Sequence, residues 1–123
     1  MDIIISNTSG APIYEQIEVQ IREMILRGEL KAGDALPSMR TLAKDLRISM
    51  ITTKRAYEEL ERDGFIESFT GRGSFVKAQN EELLREQVLK ETEEIFSRGI
   101  KKGRDAGLTR EELTEIFQML LNE

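Results

Sequence analysis

Apolar residues recur along the first quarter of the chain at the spacing of a helix. Ile13, Ile17, Ile21 and Ile25 fall every four residues with Met24 beside them, so a helix here carries one apolar stripe. Pro12, tolerated in a first turn, opens it, and Gly28 closes it. Residues 1–11 are polar, contain Ser and Gly, and predict little regular structure apart from Ile3–Ile5. Residues 29–36 read as a short connection carrying Gly33. Ser38, after Leu36-Pro37, is a good N-cap for a second helix to about Leu46, with Leu42, Ala43 and Leu46 facing inward. Only Arg47 and Ile48 precede Ser49, which can cap a third helix from Met50 to about Asp63. Its buried stripe is Thr53, Ala56 and Leu60, leaving Met50, Ile51, Thr52 and Lys54 near the exposed N-terminal end. Two short helices joined this tightly predict a helix-turn-helix.

After Gly64 the pattern changes to strand, turn, strand: Phe65–Phe69, Thr70-Gly71-Arg72-Gly73, then Ser74–Lys77. A hairpin directly after a helix-turn-helix is the wing of a winged helix. From about Glu81 the helical period returns in a long Glu-rich segment with Leu84, Val88, Ile95 and Phe96. Thr109-Arg110-Glu111-Glu112 fits a capping box for a last helix bearing Leu113, Ile116, Phe117, Leu120 and Leu121. The expected fold is mainly α with a small β-hairpin. Residues 1–78 form the winged helix-turn-helix and residues 79–123 a two-helix tail. A tail of amphipathic helix this short cannot enclose a core, but two copies can, so Leu84, Val88, Ile95, Phe96, Leu113, Ile116, Phe117 and Leu120 are candidate dimerisation residues. Gly99, Gly103 and Gly107 lie four apart. They permit close helix approach; the simpler reading makes Gly99 a kink and Gly107 a C-cap.

Composition removes whole classes of function. With 123 residues there is room for one compact domain and an appendage. With no Cys and no His, zinc fingers, Ser-His-Asp triads, Cys-His pairs and disulfides are out. No cofactor is expected, and a metal would have to be a hard cation on carboxylates. The longest apolar runs are three residues, as in Met24–Leu26, so no membrane span is expected, and neither is a signal peptide. The expected location is cytoplasmic. Net charge is −5, but it is unevenly spread. Residues 38–55 carry Arg40, Lys44, Arg47, Lys54 and Arg55 against Asp45 alone, a local +4, so an acidic chain still offers a polyanion a positive face.

The run Gly33-Asp34-Ala35-Leu36-Pro37-Ser38-Met39-Arg40-Thr41-Leu42-Ala43, then Ile48-Ser49, then Ala56–Ile66 and the wing Gly71–Val76, resembles the GntR family of bacterial transcription regulators. The resemblance covers residues 12–77. The short helical tail resembles the YtrA subfamily, whose members lack the large effector-binding domains of other GntR proteins and often accompany transporter genes. The resemblance implies double-stranded DNA as partner, with Arg40 at a DNA-contacting position and Tyr14 at a phosphate. The family commonly has arginine or another polar residue where this chain has Met50 and Ile51, so its base preference departs from the family pattern.

Physical chemistry reaches a similar assignment. A recognition helix turns its N-terminal end to base edges, and its free N–H groups favour phosphate. Ser49 and Thr52 can bond phosphate or base, Lys54 can reach phosphate or guanine, and Met50 and Ile51 can pack on thymine methyls. Gly71 and Gly73 let the wing backbone approach closely while Arg72 enters the minor groove. Ser38 and Ser49 are also sufficiently explained as caps, and Arg40 and Lys54 as surface charges. The leading expectation is a homodimeric DNA-binding regulator, a repressor reading an inverted repeat. An unidentified effector acting through the tail is compatible with it. The alternative is a winged helix that binds protein and never meets DNA. Clusters such as Glu93-Glu94 read as solvated faces, so no enzyme is expected.

Overall fold

The computed structural model describes residues 1–123 and separates into two units, residues 1–80 and 81–123. In the first, α1 (Ile13–Leu26), α2 (Met39–Leu46) and α3 (Met50–Arg62) are followed by the hairpin β1 (Ile66–Phe69) and β2 (Gly73–Val76). The second unit is α4 (Glu81–Asp105) and α5 (Arg110–Leu121).

The first unit folds around the predicted stripes. Ile17, Ile21, Met24 and Ile25 of α1 are buried, as are Leu42 and Ala43 of α2 and Thr53, Ala56, Tyr57 and Leu60 of α3. Phe65, Ile66 and Val76 close the core from the hairpin. Ser38 and Ser49 cap α2 and α3 as expected, each hydroxyl accepting from the backbone N–H three residues on, at 3.0 and 3.2 Å. Arg47, between the two helices, sits in the left-handed region at φ +58.

Two polar groups lock the helix-turn-helix. Thr53 Oγ1 is buried and donates to the Met39 carbonyl at 3.0 Å or that of Met50 at 2.9 Å, so the start of α3 is tied to the start of α2. Tyr57, nearly fully buried, donates its hydroxyl to the Pro37 carbonyl at 2.7 Å. Burial pushes that hydroxyl's pKa well above the usual tyrosine range, so it stays a donor.

Two stretches are more ordered than their patterns predict. Residues 33–36 line β2: Gly33 and Leu36 donate to Val76 and Ser74, and Val76 donates back to Asp34. The connection expected at 29–36 thus ends as a third short strand-like segment. The N-terminal residues are strapped along α1. Gln20 accepts from the Ile4 N–H (2.8 Å) and donates to the Ile4 carbonyl (2.7 Å). Gln16 does the same for Ser6 (2.8 and 2.9 Å).

In the second unit α4 runs without interruption through Gly99. Gly103 is the close approach. A Cβ on it would lie 2.6 Å from Leu113 Cδ2 and 3.3 Å from Leu108 Cδ1, and it is the one buried residue of α4. Phe96 and Phe117 meet edge to face at 5.7 Å. The capping box forms as expected: Thr109 and Glu112 exchange side-chain-to-backbone bonds of 3.0 and 3.1 Å. No helix is long and apolar enough to cross a membrane.

Candidate nucleic-acid interface

The capped N-terminus of α3 is open to solvent. Met50 is 47% exposed and Ile51 80%, the highest value of any large apolar side chain in the chain. Neither belongs to the core. At ~100° per residue, Met50, Ile51, Lys54, Arg55 and Glu58 share one face of α3, opposite Thr53, Ala56, Tyr57 and Leu60. Ser49 and Thr52 are tied to each other, with their hydroxyl oxygens 2.8 Å apart and Thr52 N–H donating to Ser49. Lys54 Nζ stands 3.9 Å from Glu58 Oε1, an exposed pair worth at most ~0.5 kcal/mol, so it remains available.

Arg40, in the first turn of α2, is exposed with no carboxylate within 4.0 Å, and so is Arg72 at the wing tip. Ser38, beside Arg40, is exposed, but its hydroxyl donates to Thr41 Oγ1 at 2.8 Å while capping α2. The wing turn closes with Arg72 N–H donating to the Phe69 carbonyl at 2.9 Å. Gly71 and Gly73 take φ of +78 and +105, a backbone that side-chain-bearing residues adopt only with strain. Across the hairpin the Ser68 and Ser74 hydroxyls lie 2.7 Å apart, and Phe69 and Phe75 pack at 6.2 Å, stiffening the ribbon that carries Arg72.

Tyr14, half buried at the start of α1, has its ring against α3, where Arg55 Cζ lies 3.9 Å from the ring centroid. Sequence reasoning counted Arg55 in the local charge but did not single it out. The pointer available was its place four residues after Ile51 on the exposed face. At the other end of α3, burial pushes the Glu18 carboxyl above its ordinary pKa; Arg22, 3.7 Å away, pulls it back, while Asp63 and Glu59 add to the rise. That cluster involves none of the exposed groups at the N-terminus of α3. No group of three or more Cys, His, Asp or Glu side chains is arranged to hold a metal ion.

A helix-turn-helix with a basic, carboxylate-poor recognition end and an arginine-tipped wing defines a winged-helix protein of the nucleic-acid-binding type. The family described as bacterial regulatory proteins, gntR family, matches residues 13–76, and the chain belongs to it. The HTH-type transcriptional repressor YtrA of Bacillus subtilis is 39% identical over 113 residues, covering 92% of this chain and 87% of that protein. The uncharacterized HTH-type regulator YhcF of the same organism is 39% identical over 107 residues, covering 87% and 88%. Among solved structures, YtrA from Sulfolobus acidocaldarius, a GntR-family transcription factor, is 42% identical with a TM-score of 0.60, over 73% of this chain and 96% of that one. The chain is therefore a YtrA-like GntR regulator with a winged-helix DNA-binding domain.

Proposed function

We propose that the protein is a repressor that binds an inverted-repeat operator as a homodimer. Residues 1–80 would supply the DNA-binding domain and residues 81–123 the pairing surface. The observation that carries the DNA half is the open N-terminus of α3, with Met50, Ile51 and Lys54 unburied and Arg40 and Arg72 free of carboxylates. In this reading Arg40, Arg72 and Lys54 engage phosphates or groove edges, and Ser38, Ser49 and Tyr14 touch the backbone. Met50 and Ile51 select thymine methyls, with Thr52 beside them.

The dimer half is supported by the tail's uncovered apolar face: Val88, Ile95, Phe96, Ile116, Phe117 and Leu120 are each at least 42% exposed. Leu84 and Leu113 are only half exposed, and Leu113 is already engaged by Gly103, so they contribute less. Two-fold pairing would set two recognition helices about one duplex turn (~34 Å) or a multiple apart.

The test is selection of binding sites from a random duplex pool, followed by titration of the winners at several salt concentrations. Enrichment of an inverted repeat, bound far more tightly than scrambled DNA, is the expected result. Unselective binding, or monomer alone in analytical ultracentrifugation at micromolar concentration, overturns it.

A further inference from the structure

We infer that Arg55 anchors the protein to the DNA backbone, its guanidinium held over the Tyr14 ring so that its free N–H edge meets a phosphate on the wall of the groove that α3 enters. The inference rests on the DNA reading above and adds a residue to it.

The geometry has three parts. First, Arg55 lies at the edge of α3's exposed face, not its middle. Lys54 sits close to Met50 around the helix axis, whereas Arg55 is rotated ~100° further, on the side that meets α1. A helix with its side chains is ~10–12 Å across and the major groove ~12 Å wide, so mid-face residues see base edges and flanking residues see phosphates. Second, the Tyr14 ring contacts the guanidinium at 3.9 Å through its π face. That contact is with a π face and not with an acceptor atom, so the guanidinium's N–H donors are left unspent, in the fork geometry that suits phosphate oxygens. Third, Arg55 has no carboxylate within 4.0 Å and no hydrogen-bond partner, whereas its neighbour Lys54 stands beside Glu58. The side chain is thus oriented before binding, by a contact that does not cancel its charge. A charge held this way loses less rotamer freedom on meeting phosphate than a free surface arginine.

The experiment uses the full chain and two probes, a duplex from the selection above and a random-sequence duplex of equal length, with Kd measured across salt concentrations. Arg55→Gln should weaken binding to both about tenfold and reduce the slope of log K against log salt by about 0.9 per bound protomer. The ratio of the two affinities should stay unchanged, because phosphates carry no sequence. Arg55→Lys keeps the charge and should keep the slope while losing about threefold in affinity with the stack. Tyr14→Leu should do the same. Arg55→Gln that leaves Kd and slope unchanged overturns the inference. So does an Arg55→Gln variant that loses melting temperature and affinity but keeps the wild-type slope, since that is a purely structural tie between α1 and α3. Wild-type protein that binds neither duplex overturns the DNA reading itself and the anchor with it.

Discussion

Residues 1–80 bury thirteen apolar side chains, among them Ile17, Ile21, Tyr57 and Leu60. Residues 81–123 bury only Gly103, and they hold twelve of the eighteen exposed large apolar side chains, from Leu83 to Leu121. The apolar period is as regular in α5 as in α1. A stripe therefore specifies a helix and its sticky side; whether that side is covered depends on what the rest of the chain can bring to it. In the first unit three helices and a hairpin converge. In the second a single helical pair has two faces to cover and only one partner for each.

The largest expected effect breaks the first unit alone. Leu60→Ala, at a fully buried site, should cost about 3 kcal/mol in urea unfolding. A cost under about 1 kcal/mol would mean that the core is not centred on α3. Next, Phe117→Asp should leave the first unit's unfolding unchanged but move sedimentation from dimer to monomer. Operator affinity should then fall about 100-fold as the two half-sites lose their linkage. Unchanged sedimentation would remove the reason for contrasting the units.

The glycines sharpen the comparison within the tail. A methyl added at Gly99 would meet nothing within 4 Å, so Gly99→Ala should stabilise α4 by about 0.5–1 kcal/mol through helix propensity. Gly103→Ala gains the same propensity but must displace the Leu113 methyl, and should fall about 1 kcal/mol short of it in thermal melts. If Gly99→Ala instead weakens dimerisation, the two protomers approach each other at that glycine.

The smallest effect is in the first unit. The Glu18 carboxyl has a raised pKa in the fold, so folding takes up protons just above pH 4.5 and stability falls as pH rises through that window. Glu18→Gln should flatten this slope and raise the melting temperature at pH 7 by no more than about 2 °C, offset in part by loss of the Arg22 pair. A steeper slope in the variant would reverse the sign.

What could be read from the chain beforehand was local. Ser38, Ser49 and Thr109 announce caps because the groups they satisfy lie three residues away. The winged-helix order followed from periods and punctuation within a few turns. What escaped depends on residues far apart in sequence. Gly99 and Gly103 are equivalent as letters, and only Leu113 packing separates them. Arg55 looked like any surface charge until α1 brought Tyr14 beneath it. Residues 33–36 lacked a strand pattern because their ordering comes from β2, some forty residues on.

The paired glutamines on α1 have a consequence for how the leading residues of the chain are recognised. Two side chains one helical turn apart rise ~6 Å, close to the ~6.8 Å between alternate residues of an extended strand, so their amides stand in for a neighbouring strand's peptide groups. An amide both gives and takes; a carboxylate only takes. The leader is thus gripped by its peptide bonds and not by the identity of its side chains. Residues 3–6 can be rewritten with these bonds intact so long as positions 4 and 6 are not proline, whereas changing either glutamine to glutamate would loosen the grip without altering a single letter of the segment it holds.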